Sequence, residues 1–295
     1  MVITDRILSL TYYPLQQFWN SKSASKLQGT VLLIAFLASS FFALFNHYEL
    51  CKFLIPFNKI HFLQSVEVTF TILLLFEMIS LVFVIPESIA NSIGKQIEIL
   101  SLVLLRSSFK EFANLDLENS LLDQLPSLYK MIAYGSGSLL IFFLVSFYYK
   151  IQKHKSITND GAEKQKFVAL KQIIAMLVLI SLLVLQCADV YHLFSEGKWL
   201  HSVDKFYLIL IFADLLFLFA AFKYTIHYPD IFRYSAFVLV TVFIRISLLS
   251  TAYLGTAIGI LAALFAITIT FFYNLFIQDR LNYINNHQLN KLTNV

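Results

Sequence analysis

Charge is scarce in this chain. Only 14% of its 295 residues are Asp, Glu, Lys or Arg, against roughly 25% in an average soluble domain. Hydrophobic residues make up 58% and the mean hydropathy is +0.73. So little charge cannot cover a water-facing surface, and no stretch is polar enough to form a soluble domain. Cysteine is scarce too. Cys51 and Cys187 form no C-x-x-C pair and no zinc-ligand spacing, and a disulfide between them would require both to lie on one membrane face. Glycine, at 8 residues beside 30 phenylalanines, is sparse for a machine whose helices slide on small-residue seams. Catalytic signatures are missing: there is no H-E-x-x-H, no G-x-S-x-G and no Walker motif. Tyr134-Gly135-Ser136-Gly137-Ser138 is too short for a phosphate loop and lacks the following Lys-Ser/Thr. No catalytic residue, cofactor or metal is assigned, and an enzyme is unsupported. The net charge of +4 gives no argument for nucleic acid as a partner.

What is present is a series of long apolar runs. Segments 27–46, 66–85, 131–149, 172–194, 206–222 and 234–252 each come near the roughly 20 residues a membrane span needs. A seventh, 256–277, follows a break at Tyr253-Leu254-Gly255. None shows period-2 alternation, so the spans read as helices and not barrel strands. Segment 93–112 is contested, because its apolar core is short and Glu98 interrupts it. The expected fold is an all-α polytopic transmembrane bundle of about eight spans, or seven if 93–112 is interfacial. Residues 1–26, with Ile7, Leu8, Tyr12, Tyr13, Phe18 and Trp19, are expected to form a retained interfacial segment and not a cleaved signal.

Two arguments count 93–112 as a span. With eight spans and the N-terminus inside, fourteen of the 22 Lys and Arg residues fall on inner segments and six on outer ones, with Arg106 and Arg245 inside spans. The loop 150–171 carries six lysines and belongs inside. Without the crossing, the basic segment 1–26 would face outward. The second argument is an internal repeat. Glu77 precedes Arg106 in spans two and three of the first half, as Asp214 precedes Arg245 in the second. Leu104-Leu105-Arg106-Ser107-Ser108 matches Phe243-Ile244-Arg245-Ile246-Ser247, and Lys95 and Arg233 each enter a third span. The division is then an interfacial segment 1–26, a four-helix unit 27–149, a cytoplasmic basic loop 150–167, a second four-helix unit 168–278 and a cytoplasmic tail 279–295. Four spans per unit make the repeat parallel.

An ionisable residue deep in a span costs about 2.5–3.5 kcal/mol and needs a partner, water or a function. Glu77, Glu98, Arg106, Asp214 and Arg245 are the candidate intramembrane charge network. Helix rise puts Asp214 and Arg245 at roughly 14 and 18 Å from the inner face, and Glu77 and Arg106 at roughly 14 and 17 Å. Asp214–Arg245 and Glu77–Arg106 are therefore expected to pair. Glu98 is left over and is expected to snorkel near the inner face. A voltage-sensor helix would need several arginines at three-residue spacing, and each half has one deep arginine.

Gly255 and Gly259 open the last span as a small-xxx-small pair for helix packing, within the chain or in a homo-oligomer through that span. His47, His61, His192 and His201, with Glu49 and Asp189, are expected to cap outer helix ends rather than assemble a metal or pH-sensing site. The partner is the lipid bilayer. The expected location is the plasma (inner) membrane with both termini cytoplasmic. The leading functional expectation is a channel or transporter-like protein for protons or a small ion. The competing readings are a non-transporting scaffold, assembly or signalling subunit and, more weakly, an enzyme acting on a lipid-like substrate.

Overall fold

The computed structural model describes residues 12–47, 64–86, 89–113, 124–152, 161–196, 202–223 and 228–293. These are almost entirely helical: residues 12–19 (α1), Lys22–His47 (α2), Gln64–Val84 (α3), Ile89–Ala113 (α4), Leu125–Ile151 (α5), Gly161–Glu196 (α6), Val203–Phe222 (α7), Tyr228–Leu249 (α8) and Ala252–Thr293 (α9). No strand occurs among the described residues. Six helices, α2 and α5 to α9, are long and apolar enough to cross a membrane, and α3 carries a shorter apolar core, Val68–Val84. Leu139 and Phe143 are each 70% exposed, a placement that suits lipid and not water. The protein is an all-α polytopic membrane bundle.

Local signals set several helix starts. Ser21 Oγ accepts the Ala24 amide at 3.1 Å, capping α2. Pro126 sits in the first turn of α5, where its missing N–H costs nothing. At the start of α7, Asp189 accepts both the Ser202 amide (3.1 Å) and the Ser202 hydroxyl (2.6 Å). Asp189 is thus engaged as a helix cap. His47, Glu49, His61 and His201, named with it, have side chains outside the described residues.

The contested helix α4 does not lie across the bundle. Tyr148 donates to the Ala90 carbonyl (2.9 Å), Ser138 to that of Ser101 (2.7 Å), and Ser108 to that of Met131 (2.8 Å). As the α4 partner advances from 90 to 108, the α5 partner retreats from 148 to 131. The two helices are antiparallel over 18 residues of α4, about 27 Å, close to a hydrocarbon core of about 30 Å. Since α5 is a span, α4 runs through the same layer. Its low hydropathy follows from its position: Ile93, Ile97, Leu100 and Leu104 face a protein core and not lipid.

The helices form two apolar cores. One gathers Leu74, Met78 and Leu81 of α3, Val178 and Leu182 of α6, and Phe206 and Leu210 of α7. The other joins α4, α5, α8 and α9, with Ala262, Ala263 and Ala266 letting α9 approach closely. α4 lies against α8, and α5 against α9. The latter two are parallel, since Gly137 faces Thr256 and Asn274 donates to the Ile151 carbonyl at 2.7 Å.

Several boundaries differ from expectation. The α8–α9 break falls at Ser250-Thr251 and not at Tyr253-Leu254-Gly255, because Gly255 N–H already bonds Thr251 O at 2.7 Å as the first turn of α9. Residues 161–167, expected in the basic loop, extend α6. Residues 279–293, expected as a separate tail, continue α9 through Thr293. Lys171, counted among the loop lysines, is only 4% exposed.

Candidate functional site: a buried charge network

The charges gather where the two cores meet. Arg245 of α8 is 0% exposed. Its Nη2 donates to Gln96 Oε1 of α4 at 3.1 Å, and its Nε lies 3.9 Å from Asp214 Oδ2 of α7. That distance is an ionic contact without a hydrogen bond. Asp214 Oδ2 and Arg245 Nε and Nη1 find no hydrogen-bond partner.

Arg106 turns the other way along α4. Its Nη1 donates to the Phe70 carbonyl of α3 at 3.1 Å. Glu77 and Arg106 lie near enough to act on each other through space, while Glu77 Oε2 and Arg106 Nε are without hydrogen-bond partners. Tyr207 of α7 is buried within electrostatic reach of Arg106, Arg245 and Glu77. Sequence reasoning passed over Tyr207 and Gln96, because neutral polar side chains in apolar helices carry no charge signal.

Beside Asp214 is a small cavity of about 40 Å³, lined by Ser92, Gln96, Lys171 and Thr241 among apolar neighbours. A water needs roughly 10–15 Å³ of such space, so the cavity has room for more than one. Lys171 also sits 5.0 Å from the Phe167 ring centroid, a cation–π contact. Its position among the loop lysines hid it from sequence analysis.

Glu98 is not part of this network. It is exposed and lines a separate cleft of about 510 Å³ with Lys95, Trp19, Asn20, Ser25 and Gln28. Gly255 and Gly259 face their own chain. A Cβ on Gly255 would meet Ser247 O at 2.6 Å, and one on Gly259 would meet Ser247 Oγ at 2.9 Å and Ile141 Cδ1 at 3.1 Å. No group of three or more potential metal ligands occurs among the described residues.

Fold and site together define a multi-pass α-helical integral membrane protein with a few charged side chains buried between apolar cores. Comparison with protein-family models, with curated proteins and with solved structures returned no match.

Proposed function

We propose that this membrane protein moves protons or a small ion through its interior, with Asp214 as the central exchanging group. The observation that carries the reading is that Asp214, mid-helix in α7, borders a small, mostly apolar cavity with room for water, which Ser92, Gln96, Lys171 and Thr241 also line, and keeps one carboxylate oxygen without a hydrogen bond. A buried carboxylate beside water and a fixed guanidinium can change its proton occupancy, the chemistry that proton relays in pumps and transporters use. Arg245 opposes Asp214, Lys171 adds a second cation at the cavity wall, and Glu77, Arg106 and Tyr207 extend the polar path along the seam.

The test is flux in reconstituted vesicles with a trapped pH dye and a set of monovalent ions. Asp214→Asn should lower flux about tenfold or more while the protein still elutes as a folded species. A folded Asp214→Arg/Arg245→Asp swap that keeps wild-type flux sinks the reading.

A second reading has its own observation. Arg245 ties α4, through Gln96, to α7, through Asp214, so the network also works as a three-helix clamp in a non-transporting scaffold or assembly subunit. Buried pairs can fix helix register without chemistry. Absence of flux in the wild type, together with stability restored by the double swap, favours the clamp.

A further inference from the structure

The cleft around Glu98 has a composition that the charge network does not explain. Its walls come from the α1–α2 junction (Trp19, Asn20), α2 (Ser25, Gln28), α3 (Ser80, Val84) and α4 (Lys95, Glu98, Ile99). The volume of about 510 Å³ lies in the range of small-molecule sites, about 300–1,000 Å³. One wall is braced: Trp19 Nε1 donates to Ser80 Oγ at 2.9 Å, and the Trp19 ring packs against Phe76 and Phe83. Tryptophan held this way is typical of the headgroup level of a bilayer.

The α4 wall continues beyond the cleft as a stripe. Lys95, Glu98, Leu102, Leu105 and Phe109 recur at helical spacing on one face. Leu102 is 53% exposed, and Leu105 and Phe109 are exposed as well. Charge and hydrogen-bonding groups at one end pass into a bare apolar track at the other. That is the order of polarity in an amphiphile. Glu98 is exposed where the polar cleft meets the apolar track, and a carboxylate there is costly to leave facing hydrocarbon. Lys95 supplies the opposite charge one turn away, so the cleft presents a cation and an anion together.

We propose that this cleft binds the headgroup of a phosphatidylethanolamine molecule, its phosphate at Lys95 and its ammonium at Glu98, with the acyl chains along Leu102, Leu105 and Phe109. The headgroup lies across α4, so both charges are met at one level. Asn20, Ser25 and Gln28 provide the neutral hydrogen-bonding groups a phosphate oxygen or a primary ammonium requires. A choline headgroup has no N–H to give Glu98, and a glycerol headgroup brings no cation. The preference is therefore for ethanolamine over both. The site is separate from the Asp214 network and stands or falls without it.

Native mass spectrometry of the full chain in detergent tests this, with equimolar phosphatidylethanolamine, phosphatidylcholine and phosphatidylglycerol. The wild type should retain the ethanolamine lipid preferentially. Glu98→Gln should cut that preference about tenfold, the scale of one charge-assisted hydrogen bond. Lys95→Gln should weaken retention of the ethanolamine and glycerol lipids alike. Lys223→Gln, at an exposed position on α7's end, should change nothing, and melting temperatures should confirm that all variants fold. Equal retention of the three lipids by the wild type overturns the proposal, as does an undiminished ethanolamine preference in Glu98→Gln. Displacement of the lipid by millimolar soluble phosphoethanolamine would assign the cleft to a soluble ligand and overturn the lipid assignment.

Discussion

Ser247 donates its hydroxyl to the Gly255 carbonyl at 2.6 Å, joining α8 to α9 two residues beyond Arg245. Ser108, two residues beyond Arg106, does the same from α4 to α5, reaching the Met131 carbonyl at 2.8 Å. The likeness goes further. Ser247 Oγ lies 2.9 Å from where Gly259 would carry a Cβ, and Ser108 Oγ lies 3.4 Å from the corresponding point on Gly135. Each glycine is four residues beyond the accepting carbonyl. A serine, a carbonyl and a glycine thus recur at equivalent places in both halves. We propose on this basis that 27–149 and 168–278 are two copies of one four-helix unit.

The repeated contact makes a coupling prediction. Gly259→Ala should destabilise the protein by about 1–3 kcal/mol through overpacking, since its Cβ meets Ser247, Ile141 and Leu100 within 3.2 Å. Ser247→Ala removes the nearest of these atoms. The double variant should therefore lose less stability than the two singles together, read as melting temperatures in detergent. Strict additivity would contradict the packing account.

Removing one member of the central pair should hurt more than removing both. Arg245→Met leaves Asp214 as an uncompensated buried charge, at a cost of about 3–5 kcal/mol. Asp214→Leu combined with Arg245→Met should recover most of that. Thermal unfolding of the purified variants decides it, and a double variant as unstable as the single would show that the pair is not a unit.

The crossing of α4 is open to chemical labelling. With Cys51 and Cys187 replaced by serine, Lys95→Cys and Lys150→Cys should react with an impermeant maleimide from one side of the membrane. Lys110→Cys and Tyr129→Cys should react from the other. Labelling of positions 95 and 110 from the same side would refute the arrangement of α4 beside α5.

Lys171 separates flux from stability. Its replacement by methionine keeps the stem's volume but gives up the contact with the Phe167 ring, so stability should fall by only about 0.5–2 kcal/mol. Flux in vesicles should change, because a charge bordering the Asp214 cavity is gone. Unaltered flux in a folded Lys171→Met protein would separate this lysine from the proposed path.

The membrane character and most helix positions were legible because lipid selects long apolar runs with little ambiguity. For α4 the charge distribution was the better guide, since a helix packed on one face against α5 and α8 needs fewer lipid-facing apolar residues and so scores low on hydropathy. Asp214 and Arg245 were legible as charges out of place, and helix rise put them at matching depths. Gln96 and Tyr207 were not, because a glutamine or tyrosine among apolar residues resembles an interfacial anchor. The close packing of α9 was half visible: Gly255 and Gly259 stood out, while Ala262 and Ala266 continue the same role with a residue too common to be noticed. Lys171 was lost because hydropathy averages over a window and the helix begins eleven residues earlier than the apolar run.

The bond between Gln96 and Arg245 spans 149 residues of chain. A ribosome adding about 5–20 residues per second makes the arginine roughly 7–30 s after the glutamine. During that interval α4, the least oily of the eight long helices, must keep its place without α8. The ladder of serine and tyrosine bonds to α5 is complete as soon as α5 emerges, so the early hairpin can shelter α4 until the late one docks. Assembly order is thereby written into which partners are near in the chain and which are far.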